Sequence, residues 1–107
     1  MYRIALVCEN GASTGIVVRR MQAAAEKKGI EADIKAYPYS QLENFIDGED
    51  VILFGPQLAY KINQAKNTFP QYMDKISSIS PMDFGMLNGE KILDEAIKIA
   101  KSKGERK

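Results

Sequence analysis

One cysteine, Cys8, stands where the apolar run Arg3-Ile4-Ala5-Leu6-Val7 gives way to a small, polar, glycine-punctuated segment, Glu9-Asn10-Gly11-Ala12-Ser13-Thr14-Gly15, that leads into a helical pattern. Where strands and helices alternate, such a junction is the carboxyl edge of a strand facing the amino end of a helix. Unpaired N–H groups and the helix dipole favour negative charge there. A thiol in that field can ionise and attack, and the successive amides of Asn10, Gly11, Ala12, Ser13, Thr14 and Gly15 are candidates to cradle a phosphate carried by the sulfur. A lone cysteine at a strand end is more often a small buried hydrophobe; the loop that follows tips the reading toward chemistry.

The phosphate-binding possibilities separate by what is missing. A nucleotide P-loop needs a lysine after its second glycine, but Gly15 is followed by Ile16, and the dinucleotide fingerprint needs three glycines in a spacing this loop lacks. A cysteine phosphatase places an arginine six positions after its cysteine to clamp the phosphate in the transition state; here that position is Thr14. A cradle without its charged clamp suits a thiol that accepts a phosphoryl group and passes it on, with attack by water unassisted. The chain contains no histidine. That excludes Ser/His or Cys/His pairs within it and argues against a conventional zinc site, so neither a metal nor a cofactor is expected.

The elements that must position Cys8 alternate. The expected strand Arg3–Val7 is followed by a helix over about Ser13–Lys28, with Val17, Met21, Ala24 and Ala25 on one face and Gly29 as its stop. Glu31–Tyr37 reads as a second strand closed by Pro38, and Ser40–Ile46 as a short helix before the acidic turn Asp47-Gly48-Glu49-Asp50. The continuous apolar run Val51-Ile52-Leu53-Phe54, ending in Gly55-Pro56, has the pattern of a central parallel strand covered on both faces. A helix over Leu58–Thr68, a short strand near Lys75–Ile79, a loop Ser80–Leu87, and a helix from Asn88 carrying Ile92, Leu93, Ala96, Ile97 and Ala100 complete the order, with a frayed basic tail from Lys101 to Lys107. Four such units predict an α/β fold: an open four-stranded parallel sheet with helices on both faces and the phosphate loop between strand 1 and helix 1. Ligands meet the carboxyl ends of such strands, so Cys8–Gly15, Gly55-Pro56-Gln57 and Pro81–Leu87 should converge. Met82, Phe84, Met86 and Leu87 are more apolar than a solvated loop requires, so that loop either folds under as a cap or forms a docking surface. Turn chemistry alone accounts for Pro56 as well as a site role does.

With 107 residues, 45% of them hydrophobic, residues 1–107 are expected to form one domain with a modest core. Fifteen basic residues nearly match fourteen acidic ones and are spread along the chain, which argues against a nucleic-acid partner. No apolar run approaches the roughly 20 residues of a membrane span, and no secretory signal pattern opens the chain. A single cysteine cannot form an internal disulfide, so a cytoplasmic location is expected.

From the first strand to the last helix the chain resembles the lactose/cellobiose-type B component (enzyme IIB) of the bacterial sugar phosphotransferase system. The resemblance is carried by the Cys8 loop with Gly11, Ser13 and Thr14; by Ile34-Lys35-Ala36-Tyr37; by Asp50-Val51-Ile52-Leu53 leading into Gly55-Pro56-Gln57-Leu58-Ala59-Tyr60; and by Asp83-Phe84-Gly85-Met86-Leu87-Asn88-Gly89. It implies that Cys8 is a transient phosphocysteine, loaded from a phosphohistidine on a separate A component (enzyme IIA) and discharged onto a sugar held by the membrane C component (enzyme IIC). On that reading Pro56, Gln57, Tyr60, Met82, Asp83 and Phe84 are the candidate partner-docking residues. Members commonly have Cys-Ser-Ala-Gly-Met-Ser-Thr-Ser, whereas this chain has Glu9 and Asn10 after the cysteine, Ala12 for the methionine and Gly15 for the last serine. Two other readings of the same thiol stay open at this level: a regulatory or anion-sensing module on the same fold, and a weak cysteine phosphatase. The sugar is not legible in the sequence.

Overall fold

The structure, a computed structural model, describes residues 1–9 and 12–105. Strand β1 (Tyr2–Cys8) leads to helix α1 (Ala12–Lys28), then to β2 (Ala32–Pro38), a 3-10 turn (Tyr39–Gln41) and the short helix α2 (Leu42–Phe45). Strand β3 (Val51–Phe54) continues through a 3-10 segment (Pro56–Lys61) into α3 (Ile62–Thr68). A further 3-10 segment (Pro70–Lys75), β4 (Ile76–Ser78), α4 (Pro81–Gly85) and α5 (Gly89–Glu105) follow. The four strands are parallel in the order β2-β1-β3-β4.

Burial explains the order. Ile4, Ala5, Leu6 and Val7 of β1 are all completely buried, as expected for a central strand covered on both faces. Ile4 and Leu6 join Val17, Met21, Ile34, Leu53, Leu93 and Ala96 beneath α1 and α5. Ala5 and Val7 join Leu42, Phe45, Phe54, Leu58 and Ala65 on the opposite face. The stop at Gly29 is a left-handed turn, φ 69°, which glycine adopts without a Cβ penalty. Helices α1 and α5 are also tied at their surface, where the Lys28 ammonium donates to Asp94 Oδ1 at 2.8 Å.

Two expectations need correction. Ser80–Leu87 is not a loop: it holds α4, in which Ser80 is the N-cap, its Oγ accepting from the Asp83 N–H at 3.5 Å, and Pro81 takes the first helical position. The tail does not fray from Lys101, because α5 continues to Glu105.

The amino edge of the sheet carries two buried charged groups. Lys75, 1% exposed, donates from Nζ to the Glu49 carbonyl at 2.7 Å, and its ammonium lies 4.4 Å from the centre of the Tyr72 ring. Burial pushes the Glu49 carboxyl above the usual carboxylate range, and the Arg3 guanidinium at 3.4 Å opposes this only in part. The folded state therefore holds that proton more tightly than the unfolded chain. The stability contributed by neutral Glu49 is present below the ordinary carboxylate pKa and is lost as pH rises through the raised folded value. Glu49→Gln is accordingly expected to be modestly more stable than the parent near neutral pH, with the gain vanishing below about pH 4. Urea unfolding at both pH values checks this. A variant weaker than the parent at neutral pH would show that the Arg3 ion pair outweighs the burial cost.

Candidate functional site

Strand order defines where a ligand can sit. From β1 the chain crosses to β2 on one side, and from β2 it returns past β1 to β3 on the other, so the two crossovers diverge at the carboxyl end of β1. Such a topological switch point opens a crevice in doubly wound sheets. The last residue of β1 is Cys8, half-buried and level with Pro38 of β2. Its Sγ donates to the Tyr37 carbonyl at 3.8 Å, a weak contact that turns the thiol toward β2.

Helix α1 begins at Ala12 with no acidic residue in its first turn, while Lys27 and Lys28 occupy its last. The first N–H groups of a helix have no intrahelical acceptor, and the helix dipole makes that end positive. Ala12, Ser13, Thr14 and Gly15 are the residues of that first turn. Asn10, Gly11 and the side chains of Ala12 and Ser13 lie outside the described residues. Thr14, 4% exposed, extends the buried stripe of Val17, Val18 and Met21 toward the end of β1. Glu9 is exposed. Gly15 has no atom within 4 Å of the position a Cβ would take and needs no special backbone angle. Gly15→Ala is therefore expected to raise stability by about 0.5–1 kcal/mol, the ordinary helix-interior difference, as measured by urea unfolding.

The segment after β3 closes over the same end of β1. Gly55 N–H donates to the Val7 carbonyl at 3.0 Å, and a Cβ on Gly55 would lie 3.5 Å from that oxygen. Pro56 is half-buried; Gln57 is exposed, and Tyr60 is 71% exposed. Lys61 lies 4.5 Å from the centre of the Tyr39 ring and 5.9 Å from that of Tyr60.

Helix α4 divides the third segment between the two alternatives. Asp83 and Phe84 turn inward, Phe84 into the core beneath α1 and α5, whereas Met82 and Met86 are about 70% exposed. As surface residues, Asp83 and Phe84 are corrected; the outward face of this segment is Met82 with Met86. The missed signal was local: Ser80-Pro81-Met82-Asp83 is an N-cap serine, a first-turn proline and an acid three residues after the cap.

Among the described residues no group of three or more His, Cys, Asp or Glu side chains could hold a metal ion, and no helix is long and apolar enough to cross a membrane.

Residues 3–95 match the family model described as the lactose/cellobiose-specific IIB subunit of the phosphotransferase system. The oligo-beta-mannoside-specific EIIB component of Bacillus subtilis strain 168 is 29% identical over 99 residues, covering 92% of this chain and 96% of its own. The galactose-specific EIIB component of Lactococcus lactis subsp. cremoris is 33% identical over 98 residues, covering 87% and 91%. Among solved structures, the cellobiose-specific IIB component of Borrelia burgdorferi superposes with a TM-score of 0.80 at 34% identity, covering 94% of this chain and 93% of that one.

Proposed function

The chain belongs to the lactose/cellobiose-specific IIB family of the sugar phosphotransferase system, and on that premise we propose that Cys8 is its phosphoryl carrier, with residues 1–107 acting as one cytoplasmic carrier domain. The observation that carries the reading is the position of Cys8: the chain's only cysteine ends the central strand at the switch point, ahead of the amino end of α1.

Transfer runs in two in-line displacements. The Cys8 thiolate attacks the phosphorus of a phosphohistidine on an A component; the S–P bond forms, the N–P bond breaks, and the imidazole leaves with the electron pair. The amides from Asn10 to Gly15, with the hydroxyls of Ser13 and Thr14, hold the phosphoryl oxygens as charge moves among them. A sugar hydroxyl on the membrane C component then attacks the same phosphorus; the O–P bond forms, the S–P bond breaks and sulfur departs as thiolate. The proton of that hydroxyl passes to a base on the C component, since this chain offers no histidine. Gln57, Tyr60, Met82 and Met86, each exposed on a segment that follows the carboxyl end of β3 or β4, are the side chains we assign to docking both partners in turn. Pro56 shapes the turn that sets Gln57 and Tyr60 there.

Reconstitution tests the function. Membranes carrying the C component, with a phosphorylated A component and sugar, should form sugar phosphate only when this chain is added. Sugar phosphate at the same rate without the chain, across the C components tried, would contradict the carrier role.

A further inference from the structure

On the sheet face opposite α1 and α5, a cleft of about 280 Å³ opens beside Tyr37, Phe45, Gln41, Asn44, Asp47 and the Arg3–Glu49 pair. Its apolar wall is the half-buried Tyr37 ring, backed by buried Phe45 stacked on it with ring centres 4.2 Å apart. Around that wall the side chains of Gln41, Asn44 and Asp47 make no hydrogen bond or ion pair with any described residue, and Arg3, 52% exposed, spends its guanidinium on Glu49 alone. Two primary amides, a free carboxylate and a guanidinium therefore offer forked donors and acceptors over an aromatic wall. Two carboxylates against one guanidinium disfavour an anion.

From this geometry we infer that the cleft is a binding site for an uncharged polyhydroxylated ring, a sugar unit in its unphosphorylated form. Adjacent hydroxyls pair with forked amide and carboxylate groups, and the C–H face of the ring packs on an aromatic wall. The site is separate from the phosphoryl chemistry: Tyr37 presents its ring to the cleft and its carbonyl to the Cys8 thiol, and no step of the transfer uses Gln41, Asn44 or Asp47.

The test is a titration of the intact chain with cellobiose and with methyl β-glucoside, followed by backbone amide NMR. Saturable shifts confined to Tyr37, Gln41, Asn44 and Gly48 are expected. Asn44→Ala, an exposed substitution, should weaken binding about tenfold, the value of a lost hydrogen-bonding fork, with Asp47→Asn as a second variant acting in the same direction. Glucose 6-phosphate should bind more weakly than the neutral sugars. Absence of saturation with either neutral sugar, shifts that persist unchanged in both variants, or tighter binding of the sugar phosphate or of adenosine would each overturn the inference. Phosphoryl acceptance at Cys8 is measured separately, and its failure would leave this titration unaffected.

Discussion

Cys8→Ser should lose phosphoryl acceptance by at least about a thousandfold while unfolding at the same temperature as the parent. Serine is nearly isosteric, but an alcohol is far less acidic than a thiol, and no histidine stands in this chain to activate it. The structural stake is small because Cys8 is half-buried and the hydrogen bond its Sγ makes among the described residues, to the Tyr37 carbonyl at 3.8 Å, is long. The measurement is the rate at which labelled phosphate moves from a phosphorylated A component to the chain, with circular dichroism melting as the control. Transfer retained by a folded variant would mean that another residue carries the phosphoryl group.

The largest effect on stability is expected at a site without chemistry. Gly89 opens α5 directly against α1, and a Cβ there would lie 2.5 Å from the Arg20 carbonyl carbon, 2.6 Å from the Arg20 Cβ and 2.6 Å from the Met21 backbone nitrogen. Two of those atoms are main chain and cannot swing aside, so the helices must separate. That separation would loosen Val17, Met21, Leu93 and Ala96, all fully buried between them and the sheet. Gly89→Ala is expected to cost about 3 kcal/mol, the upper end of the overpacking range, read as a lower urea midpoint. Gly85→Ala serves as the matched control. No atom lies within 4 Å of its Cβ position, so any cost it shows will be much smaller. Equal costs at the two positions would refute the close packing of α1 on α5.

What was legible in the sequence follows from the physics of each signal. Val51–Phe54 and the core of β1 stood out because central parallel strands are buried on both faces and read as unbroken apolar runs. Helix α1 was legible in its stripe of Val17, Met21, Ala24 and Ala25 and in its glycine stop. Helix α4 was not, because its five residues are too few for a period, and its caps were the only cue. The apolar character of Met82, Phe84, Met86 and Leu87 therefore read as one unit, either a cap or a docking surface, although a helical turn sends Phe84 inward and Met82 and Met86 outward. Cys8 was singled out as the candidate carrier by residue type and loop composition. Its place at a switch point was not legible, because strand order is a long-range property that no local pattern encodes. The cleft beside Tyr37 was equally hidden, since it joins Arg3 of β1 to residues 37–49, which are distant from it in sequence.

The central claim is that a phosphoryl group resides on one sulfur. The chain, incubated with a phosphorylated A component without sugar or C component, is to be mapped by phosphorus NMR and by mass spectrometry of its peptides. A single phosphoryl group bonded to sulfur, on the peptide containing Cys8, is the predicted result. A phosphoryl group on any other residue, or bonded to oxygen, would contradict the account.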